Sequence, residues 1–390
     1  MQMKNFTDFT EFRGYDLTAR KSRIKKCMEL IPPETPEDIP VLAQTPCYFG
    51  FGNKRRSASY WENPAEMLNF QQDGFEAHLK KVDDDTVPYF MPWFGTGVLA
   101  SAFGCKIKPA TGDGDDPGVI STIIETVKDI AKLKHPDPHN DGYMPKVLQF
   151  MEYAAYHGEI PVGYTDLNSP LCTAAQICGY DKLFYWMYDE SEAVHDLMSL
   201  ICENFIKWAE VQREITGEPF GCSNGLQGVW TPKGGIWLSD DDLVSIGTDL
   251  YAEFVLPYYS NIFERFGGGH LHYCGNGTHQ LKNIKNMRGI TAINNSPMGN
   301  DNAFAKLCKT VNGELAIEIQ DAAPNDPEVY YKNLFSGLDN MTGIIVATFV
   351  EDNLAMDNNG QTIYVNRDPF NAANGVVKAV RNAAASVMGL

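Results

Sequence analysis

The sequence predicts an α/β protein of the (β/α)8 class, a TIM barrel with an N-terminal extension. Short apolar runs alternate with longer amphipathic runs from Ile39 onward, a pattern typical of parallel strands joined by right-handed helical crossovers. Eight such apolar runs occur, and eight strands of this kind close into a barrel. The length of 390 residues also suits an elaborated barrel. We therefore expect an extension at residues 1–38 and a single barrel domain at residues 39–390.

Each predicted strand is a short apolar segment, and most precede a longer segment of helical periodicity. The strands are expected at Ile39–Cys47, Val87–Phe94, Ile160–Asp166, Gly225–Trp230, His270–Cys274, Ile290–Asn294, Leu315–Gln320 and Gly343–Phe349. The helices are expected at Pro64–Lys81, Lys146–His157, Asp181–Thr216, Thr248–Phe266, Gly277–Met287, Asn302–Val311, Asp326–Asp339 and Asp368–Ala385. Asn63 is a favourable N-cap for the first helix, and the long third helix is expected to break near Asp189.

An open, doubly wound sheet is the alternative arrangement of these elements. Such a sheet usually carries a glycine-rich phosphate-binding turn after its first strand. The segment Phe49–Asn53 has only two glycines at that place. The barrel is therefore the preferred interpretation.

Composition and charge disfavour several classes of function. The formal net charge is −18, which argues against binding to nucleic acid or anionic membranes, because both need a basic surface. The segment Met1–Arg23 lacks the apolar region of a secretory signal, and no stretch approaches the roughly 20 apolar residues of a membrane span. Nine cysteines without a CxxC pair fit a reducing cytoplasm. We expect a cytoplasmic protein without a disulfide framework.

Polar side chains gather where the predicted strands end. Catalytic and binding groups of a (β/α)8 barrel lie at the carboxyl ends of its strands. The residues at those ends are Asp166, Trp230, His272, Cys274, Asn294, Asn295, Gln320, Asp321, Thr348 and Glu351. A single polar residue at a strand end is commonly a loop cap, but a repeated pattern of this kind favours a lined cavity.

The pair His272 and Cys274 is the strongest chemical signal among these residues. Side chains two apart on a strand point to the same face, so the imidazole and the thiol can converge on one point. These are ligands that zinc readily takes. The alternative for a bare His-x-Cys pair is a buried cysteine beside a core histidine.

Four motifs together resemble the uroporphyrinogen decarboxylase superfamily, and the likeness extends over roughly residues 85–385. They are Asp166–Leu171 with Ile177–Gly179 and Tyr188–Asp189, Leu238–Asp241 with Tyr251–Tyr258, His272–Gly275, and Gly343–Thr348. The resemblance implies the same (β/α)8 barrel that the periodicity predicts.

The resemblance favours one branch of that superfamily. Uroporphyrinogen decarboxylases carry an N-terminal arginine signature for the carboxylates of a tetrapyrrole, which would fall here near Pro46–Tyr60. Arg55 and Arg56 are present but the pattern is not, and a net charge of −18 suits a polycarboxylate poorly. The sequence therefore looks more like the corrinoid-linked methyltransferases, which act on methanol, methylamines, chloromethane or methoxylated aromatics.

That branch implies a zinc ion on His272 and Cys274. A further cysteine often follows the last strand in these enzymes, but Val350 stands at that place, beside Glu351. A carboxylate is an acceptable zinc ligand, so Glu351 is expected to take part. The remaining alternatives are Cys222, which precedes a strand, and Cys308, which lies within a helix.

The implied activity moves a methyl group from a small O-methylated compound, such as a methoxylated aromatic, to a corrinoid. Zinc would lower the charge on the departing oxygen, and Asp166 or Asp321 would donate a proton. The residues expected to contact the substrate are Trp93, Phe94, Trp230, Asn294 and Gln320. A separate corrinoid protein is the expected partner, because the chain has no D-x-H-x-x-G segment.

Two other classes of function fit the same residues. One is a lyase of the uroporphyrinogen decarboxylase type that works without metal, and the other is a binding protein that has kept the barrel and lost the chemistry. The direction of methyl transfer and pairing into a homodimer also stay open.

Overall fold

A computed structural model describes residues 3, 6, 8–48, 55–112, 114–224 and 229–390 of the chain. The strands are β1 Glu11–Phe12, β2 Tyr15–Asp16, β3 Val41–Gln44, β4 Ile107–Lys108, β5 Gly118–Val119, β6 Ser223–Asn224, β7 Trp230–Thr231, β8 Ile236–Ser239, β9 Gly269–Cys274, β10 Ile290–Ser296, β11 Ala316–Ile319, β12 Ile344–Phe349, β13 Leu354–Met356 and β14 Thr362–Tyr364. The glycine turn considered at Phe49–Asn53 lies outside the described residues.

The structure has a helix at each place where the periodicity predicts one. The helices are α1 Thr18–Met28, α2 Pro64–Leu79, α3 Val98–Ala102, α4 Met144–His157, α5 Pro170–Cys178, α6 Tyr180–Asp189, α7 Ser191–Thr216, α8 Thr248–Phe254, α9 Leu256–Arg265, α10 Leu281–Asn286, α11 Asp301–Val311, α12 Pro327–Phe335 and α13 Pro369–Met388. Of these, α1, α3 and α5 are additional to the predicted helices. The break expected near Asp189 separates α6 from α7. The single helix expected at Thr248–Phe266 is instead two helices, with Val255 between them and Pro257 near the start of the second.

Short polar side chains begin several of these helices. Each accepts a hydrogen bond from a backbone N–H of the first turn, which would otherwise have no partner in the helix. The capping residues are Asn63, Ser169, Asn300, Asp326 and Asp368. Proline follows four of them, where its missing N–H costs nothing.

The central feature is a parallel six-stranded sheet in the order β3-β12-β11-β10-β9-β8. Its strands are almost fully buried, as expected when both faces are covered. Asn294 of β10 pairs in register with His272 of β9 on one side and with Glu318 of β11 on the other. Paired residues of parallel strands share a face, so these three side chains point the same way. The mixed α/β fold with a parallel sheet is thus as predicted.

Two further predicted strands appear as extended segments with single bridges. Phe90 forms a parallel bridge with Val162, and Asn168 forms one with Ser239 at the β8 edge of the sheet. At the other edge, Asp85 N donates to the carbonyl of Val41 at 2.7 Å. The predicted strands Val87–Phe94 and Ile160–Asp166 therefore contact each other through one bridge, and residues that flank them contact the two edges of the sheet, without continuous ladders.

Carboxylates supplement the backbone pairing beside β3. The backbone N–H of Val41 donates to Asp85 Oδ2 at 3.0 Å, and that of Ala43 donates to Asp84 Oδ2 at 2.8 Å. Both aspartates are fully buried. We call this junction between β3 and residues 84–86 the aspartate seam.

Helix α1 of the N-terminal extension holds the aspartate seam from outside. Arg20 Nη1 lies 3.2 Å from Asp84 Oδ1, and Arg23 Nε lies 2.6 Å from Asp85 Oδ1. Cys27 Sγ donates to the carbonyl of Ile344 in β12. The extension is therefore packed against the strands.

The fourth predicted strand is wrong in position. Residues 225–228 lie outside the described part of the chain, and Trp230–Thr231 pairs antiparallel with Ser223–Asn224. The parallel strand of this region is Ile236–Ser239, a four-residue apolar run too short to stand out by periodicity. No helix in the described residues is long and apolar enough to cross a membrane.

Candidate metal centre

Strand β9 brings His272 and Cys274 to the same point, as the alternation predicts. Cys274 Sγ lies 3.6 Å from His272 Nε2. The strand ends there because Gly275 adopts a positive φ of 79°, a conformation that glycine takes without steric cost. His272 is buried, whereas Cys274 at the strand end is partly open to solvent.

The third member of the group is Asp241, which begins a short 3-10 helix at Asp241–Val244 after β8. Its Oδ1 accepts a hydrogen bond from Cys274 N at 2.9 Å and lies 3.5 Å from His272 Nε2. The ligand atoms of Asp241, His272 and Cys274 all lie within 4.8 Å of one another. Asp241 is 58% exposed in its side chain, so one side of the group faces solvent.

These spacings fit a zinc ion. Tetrahedral zinc, with bonds of about 2.0–2.3 Å, separates a nitrogen from a sulfur ligand by about 3.6 Å and from an oxygen ligand by about 3.4 Å. The corresponding distances here are 3.6 Å and 3.5 Å. Three protein ligands with one side open are typical of catalytic rather than structural zinc sites. The donor set of nitrogen, sulfur and oxygen is also one that zinc accepts.

Asn294 orients the imidazole of His272. Its Oδ1 lies 2.6 Å from His272 Nδ1, and its Nδ2 donates to Glu318 Oε2 at 3.0 Å. With Nδ1 donating to Asn294, Nε2 is left to face Asp241 and Cys274. A hydrogen-bonded second nitrogen of this kind commonly accompanies metal-binding histidines.

The group is electrostatically suited to a cation. Burial lowers the pKa of His272, but hydrogen bonds and charge interactions with Asp241 and Cys274 raise it well above its ordinary value. Burial raises the pKa of Asp241, and the contact with His272 more than reverses this effect. The side chains around Nε2 therefore stabilise positive charge at this point.

Asp166 lies beside this group at the end of the third predicted strand. Burial raises its pKa to about 7, the charge of His272 lowers it, and that of Asp241 raises it. Its Oδ1 is buried and has no hydrogen-bond partner among the described residues. A carboxyl group of this kind is poised to exchange a proton near neutral pH.

Asp321, the other predicted proton donor, is engaged in hydrogen bonds with residues of the loop after β10 and with Tyr330. Its Oδ1 accepts hydrogen bonds from Ser296 Oγ at 2.6 Å and from Met298 N at 2.9 Å, and its Oδ2 accepts one from the Tyr330 hydroxyl. Both oxygens are engaged, and Oδ1 contacts the backbone of Met298, which has a positive φ of 52°. These contacts fix the loop after β10, and the catalytic role of Asp321 stays a prediction.

Glu351, the expected third ligand, is not part of the group that surrounds His272 Nε2; Asp241 takes that place. Burial raises the pKa of Glu351 to about 7, Asp352 raises it further, and three nearby arginines lower it. Glu351 follows β12, two strands beyond the neighbour of β9 in the sheet. This separation explains why its carboxylate does not join the group.

The two cysteines kept as alternative ligands also lie elsewhere. Cys222 Sγ donates to the carbonyl of Pro232, and Cys308 is buried in α11. Neither belongs to the described group of potential metal ligands.

Two of the predicted substrate contacts, Asn294 and Gln320, are polar, and their surroundings differ. Asn294 supports His272 rather than facing the substrate, as described above. Gln320 is buried after β11, and neither its Oε1 nor its Nε2 has a hydrogen-bond partner among the described residues. Leaving such a group unpaired is costly, so Gln320 is suited to bind a polar ligand group.

The aromatic residues expected to line the cavity are mostly structural. Trp93 Nε1 donates to Asp116 Oδ1 at 2.9 Å. Phe94 is fully buried and packs edge-on against Phe150 and Tyr143. These contacts account for both side chains by packing.

Trp230 lies beside helix α1 and the beginnings of two predicted strands. Its ring is 4.3 Å from Lys21 Nζ, and it lines a small cavity with Val87 and Pro161, residues that precede the bridge between Phe90 and Val162. The prediction of Trp230 as a substrate contact depended on the misplaced fourth strand, and it stays a prediction.

Sequence reasoning missed Asp241 and Glu318 as members of the site. Asp241 lies two residues after the strand Ile236–Ser239, so it would have counted as a strand-end residue if that strand had been predicted. Glu318 is an acid within an otherwise apolar strand. A charged residue in such a position is rarely buried without a partner, and this signal pointed to it.

Comparisons with known proteins identify a similar fold and a matching family. A methyltransferase from Methanosarcina mazei has a similar structure, with a TM-score of 0.63 and 14% sequence identity over 93% of this chain and 98% of that chain. At this identity the likeness is one of fold. No curated protein matches the chain. The uroporphyrinogen decarboxylase (URO-D) family matches over residues 25–220, which begins earlier and ends earlier than the motifs quoted above. This match spans half of the sequence, and the chain belongs to the uroporphyrinogen decarboxylase (URO-D) family.

Proposed function

We propose that this protein is a zinc-dependent methyltransferase. It moves a methyl group from a small O-methylated substrate, such as a methoxylated aromatic, to the corrinoid of a separate protein. The observation that carries the proposal is the convergence of Asp241, His272 and Cys274 within 4.8 Å. The fold likeness to a methyltransferase from Methanosarcina mazei supports it.

Three side chains from two elements would hold the ion. His272 and Cys274 are fixed by strand β9, and Asp241 completes the set from the 3-10 helix after β8. Zinc supplies Lewis acidity, which stabilises the charge that develops on the oxygen when its methyl group leaves. The open side of the group next to Asp241 gives the substrate access.

Asp166 and Gln320 complete the chemistry. Burial raises the pKa of the Asp166 carboxyl group to about 7, so a substantial fraction is protonated at neutral pH and can give its proton to the demethylated oxygen. Gln320 offers an unpaired amide donor and acceptor that can orient a polar group of the substrate.

The barrel itself belongs to this proposal. We infer that the six-stranded sheet closes through the two extended segments around Phe90 and Val162. This closure gives an eight-stranded barrel in one domain at residues 39–390. The bridges of Phe90 with Val162 and of Asn168 with Ser239 support this closure, as does the hydrogen bond from Asp85 to Val41. A cytoplasmic location, a corrinoid protein as partner and a homodimeric state stay predictions from the sequence.

Methyl transfer measured with a reduced corrinoid acceptor tests the proposal. Purified protein is expected to hold about one zinc ion per chain, and to methylate the acceptor when a methoxylated aromatic is supplied. Cys274→Ala and Asp241→Ala should abolish both zinc retention and transfer, whereas Cys222→Ala should retain both, because Cys222 lies outside the ligand group. Transfer that continues in Cys274→Ala, or in the presence of a chelator, would refute the role of the metal.

A lyase of the uroporphyrinogen decarboxylase type is the second candidate. One observation favours it: Arg56 is buried, and its Nε has no hydrogen-bond partner among the described residues. Its Nη2 pairs with Asp116 at 3.0 Å. Turnover of uroporphyrinogen by metal-free wild-type protein would establish this candidate in place of the first.

A further inference from the structure

A chain of polar contacts runs along the interior face of the sheet from His272 to His270. His272 Nδ1 lies 2.6 Å from Asn294 Oδ1, and Asn294 Nδ2 donates to Glu318 Oε2 at 3.0 Å. The other carboxylate oxygen, Glu318 Oε1, lies 3.2 Å from His270 Nδ1. The four residues come from three adjacent strands, so the contacts cross the sheet sideways.

The direction of this chain is set by Glu318. A carboxylate only accepts hydrogen bonds, whereas an amide can turn either its oxygen or its nitrogen toward a neighbour. Because Glu318 accepts, Asn294 must present its NH2 to it, and its oxygen is then turned toward His272. An oxygen acceptor at that place requires a proton on His272 Nδ1. The lone pair of the neutral ring is thereby placed on Nε2, the atom that faces Asp241 and Cys274.

We propose that Glu318 is the positioning residue that selects the metal-binding tautomer of His272 through the amide of Asn294. This inference rests on the proposed zinc function, and it names a residue that touches neither the ion nor the substrate. Glu318 acts on His272 through one intervening side chain, that of Asn294.

The surroundings of Glu318 make this role specific. The residue is 2% exposed, and an acid so deeply buried in an apolar strand is expensive unless it is paired. Its other oxygen, Glu318 Oε1, lies 3.2 Å from His270 Nδ1, which makes an ion pair when His270 is protonated. His270 Nε2 in turn lies 3.0 Å from the carbonyl of Lys233. A network of this kind fixes side-chain orientation most firmly where water is excluded.

The register of the strands supplies the geometry. Asn294 stands opposite His272 on one side and opposite Glu318 on the other. All three side chains therefore share a face, and the amide bridges its neighbours without any backbone distortion. A shift of one residue in either strand pairing would break the chain.

Glu318→Gln tests the proposal because it keeps the shape of the side chain but no longer fixes the orientation of the Asn294 amide. A glutamine can donate to the oxygen of Asn294, which lets that amide turn and offer its NH2 to His272 Nδ1. The lone pair then moves to Nδ1, and Nε2 carries a proton that obstructs the metal. We expect zinc affinity to fall about 10- to 100-fold, the usual effect of losing such an outer partner. Competition with a chromogenic zinc chelator measures this change.

A double variant separates the effect of hydrogen-bond direction from any effect of Glu318→Gln on packing. Asn294→Asp combined with Glu318→Gln places the acceptor-only group beside His272 and the amide beside His270, so the same tautomer is restored. We expect this double variant to recover most of the zinc affinity that Glu318→Gln loses. Glu314→Gln, at an exposed residue paired with Lys285, is the matched control and should bind zinc like the wild type.

Nitrogen NMR of the imidazole rings gives a readout that does not depend on metal or activity. At a pH where His272 is neutral, the metal-free wild type should carry its proton on Nδ1, and Glu318→Gln should lose this preference. An unchanged tautomer together with unchanged zinc affinity in Glu318→Gln would overturn the inference. A wild type that binds no zinc but keeps the Nδ1 tautomer would refute the proposed function while leaving the tautomer selection by Glu318 standing.

Discussion

Replacing Asp84 with asparagine tests the aspartate seam, where two buried carboxylates accept hydrogen bonds from the backbone of β3. Asp84 Oδ2 accepts from Ala43 N at 2.8 Å and from His78 Nε2 at 3.0 Å, while its Oδ1 accepts from Thr86 N at 3.1 Å and lies 3.2 Å from Arg20 Nη1. An asparagine at this place must turn its NH2 toward the N–H of either Ala43 or Thr86. The substitution therefore removes a buried charge and opposes two donors.

The loss of stability expected for Asp84→Asn follows from the burial of this carboxylate. Removing one partner of a buried, hydrogen-bonded ion pair costs about 3–5 kcal/mol. For a chain of 390 residues, unfolding entropies of about 2 cal/mol/K per residue convert this cost into a loss of roughly 4–6 °C in Tm. Asp83→Asn is the matched control, because Asp83 is the exposed neighbour, and surface substitutions usually change stability by less than about 0.5 kcal/mol.

The pH dependence of the same variant gives an independent check. Burial raises the pKa of Asp84, but His78 and Arg20 lower it more, to about 2 in the folded protein. A depressed carboxyl pKa contributes stability above the unfolded value near 4, and this contribution is lost as the pH falls toward 2. The gap in unfolding free energy between wild type and Asp84→Asn, measured by urea denaturation, should thus narrow by about 1 kcal/mol between pH 7 and pH 3. A gap that stays constant, or a variant as stable as Asp83→Asn, would refute the electrostatic account of the seam.

Two further substitutions separate function from stability at the candidate site. Asp166→Asn should lose methyl transfer, and the wild-type rate should fall as the pH rises above about 7, where the carboxyl group ionises. Because this raised pKa makes the wild type less stable as the pH rises, metal-free Asp166→Asn should be more stable at pH 8, by up to about 4 kcal/mol; a lower Tm there would contradict the burial argument. Gln320→Leu should weaken substrate binding, seen as a raised KM, and leave zinc affinity unchanged. Its Tm should not fall, since the amide it removes is unpaired; a marked fall would show that Gln320 has a structural partner.

The sequence was sufficient where the argument depended on a single element. Alternation along one strand placed His272 and Cys274 on the same face, and the structure brings their ligand atoms to 3.6 Å. Whether the pair binds a metal stays a prediction. The parallel sheet and most helices also followed from local periodicity, because each needs only its own residues.

The sequence was insufficient where two elements had to be brought together. Asp241 joins the group because β8 and β9 pair with Ser239 opposite His272, a register that no local pattern specifies. Glu351 was chosen for its place after the last strand, but that strand is not a neighbour of β9. Asn294 looked like a substrate contact until its pairing with Glu318 gave it a supporting role.

The unequal anchoring of the three ligands has a consequence for how this site can diverge. Two donors belong to a buried strand whose register is held on both sides, so few substitutions there are tolerated. The third, Asp241, stands on an exposed turn where insertions and replacements cost little. Exchanging that oxygen donor for a sulfur or nitrogen donor changes the softness of the site and with it the preferred ion. Under the proposed zinc function, single substitutions in one surface turn can therefore change the preferred metal, while the parallel sheet beneath it stays the same.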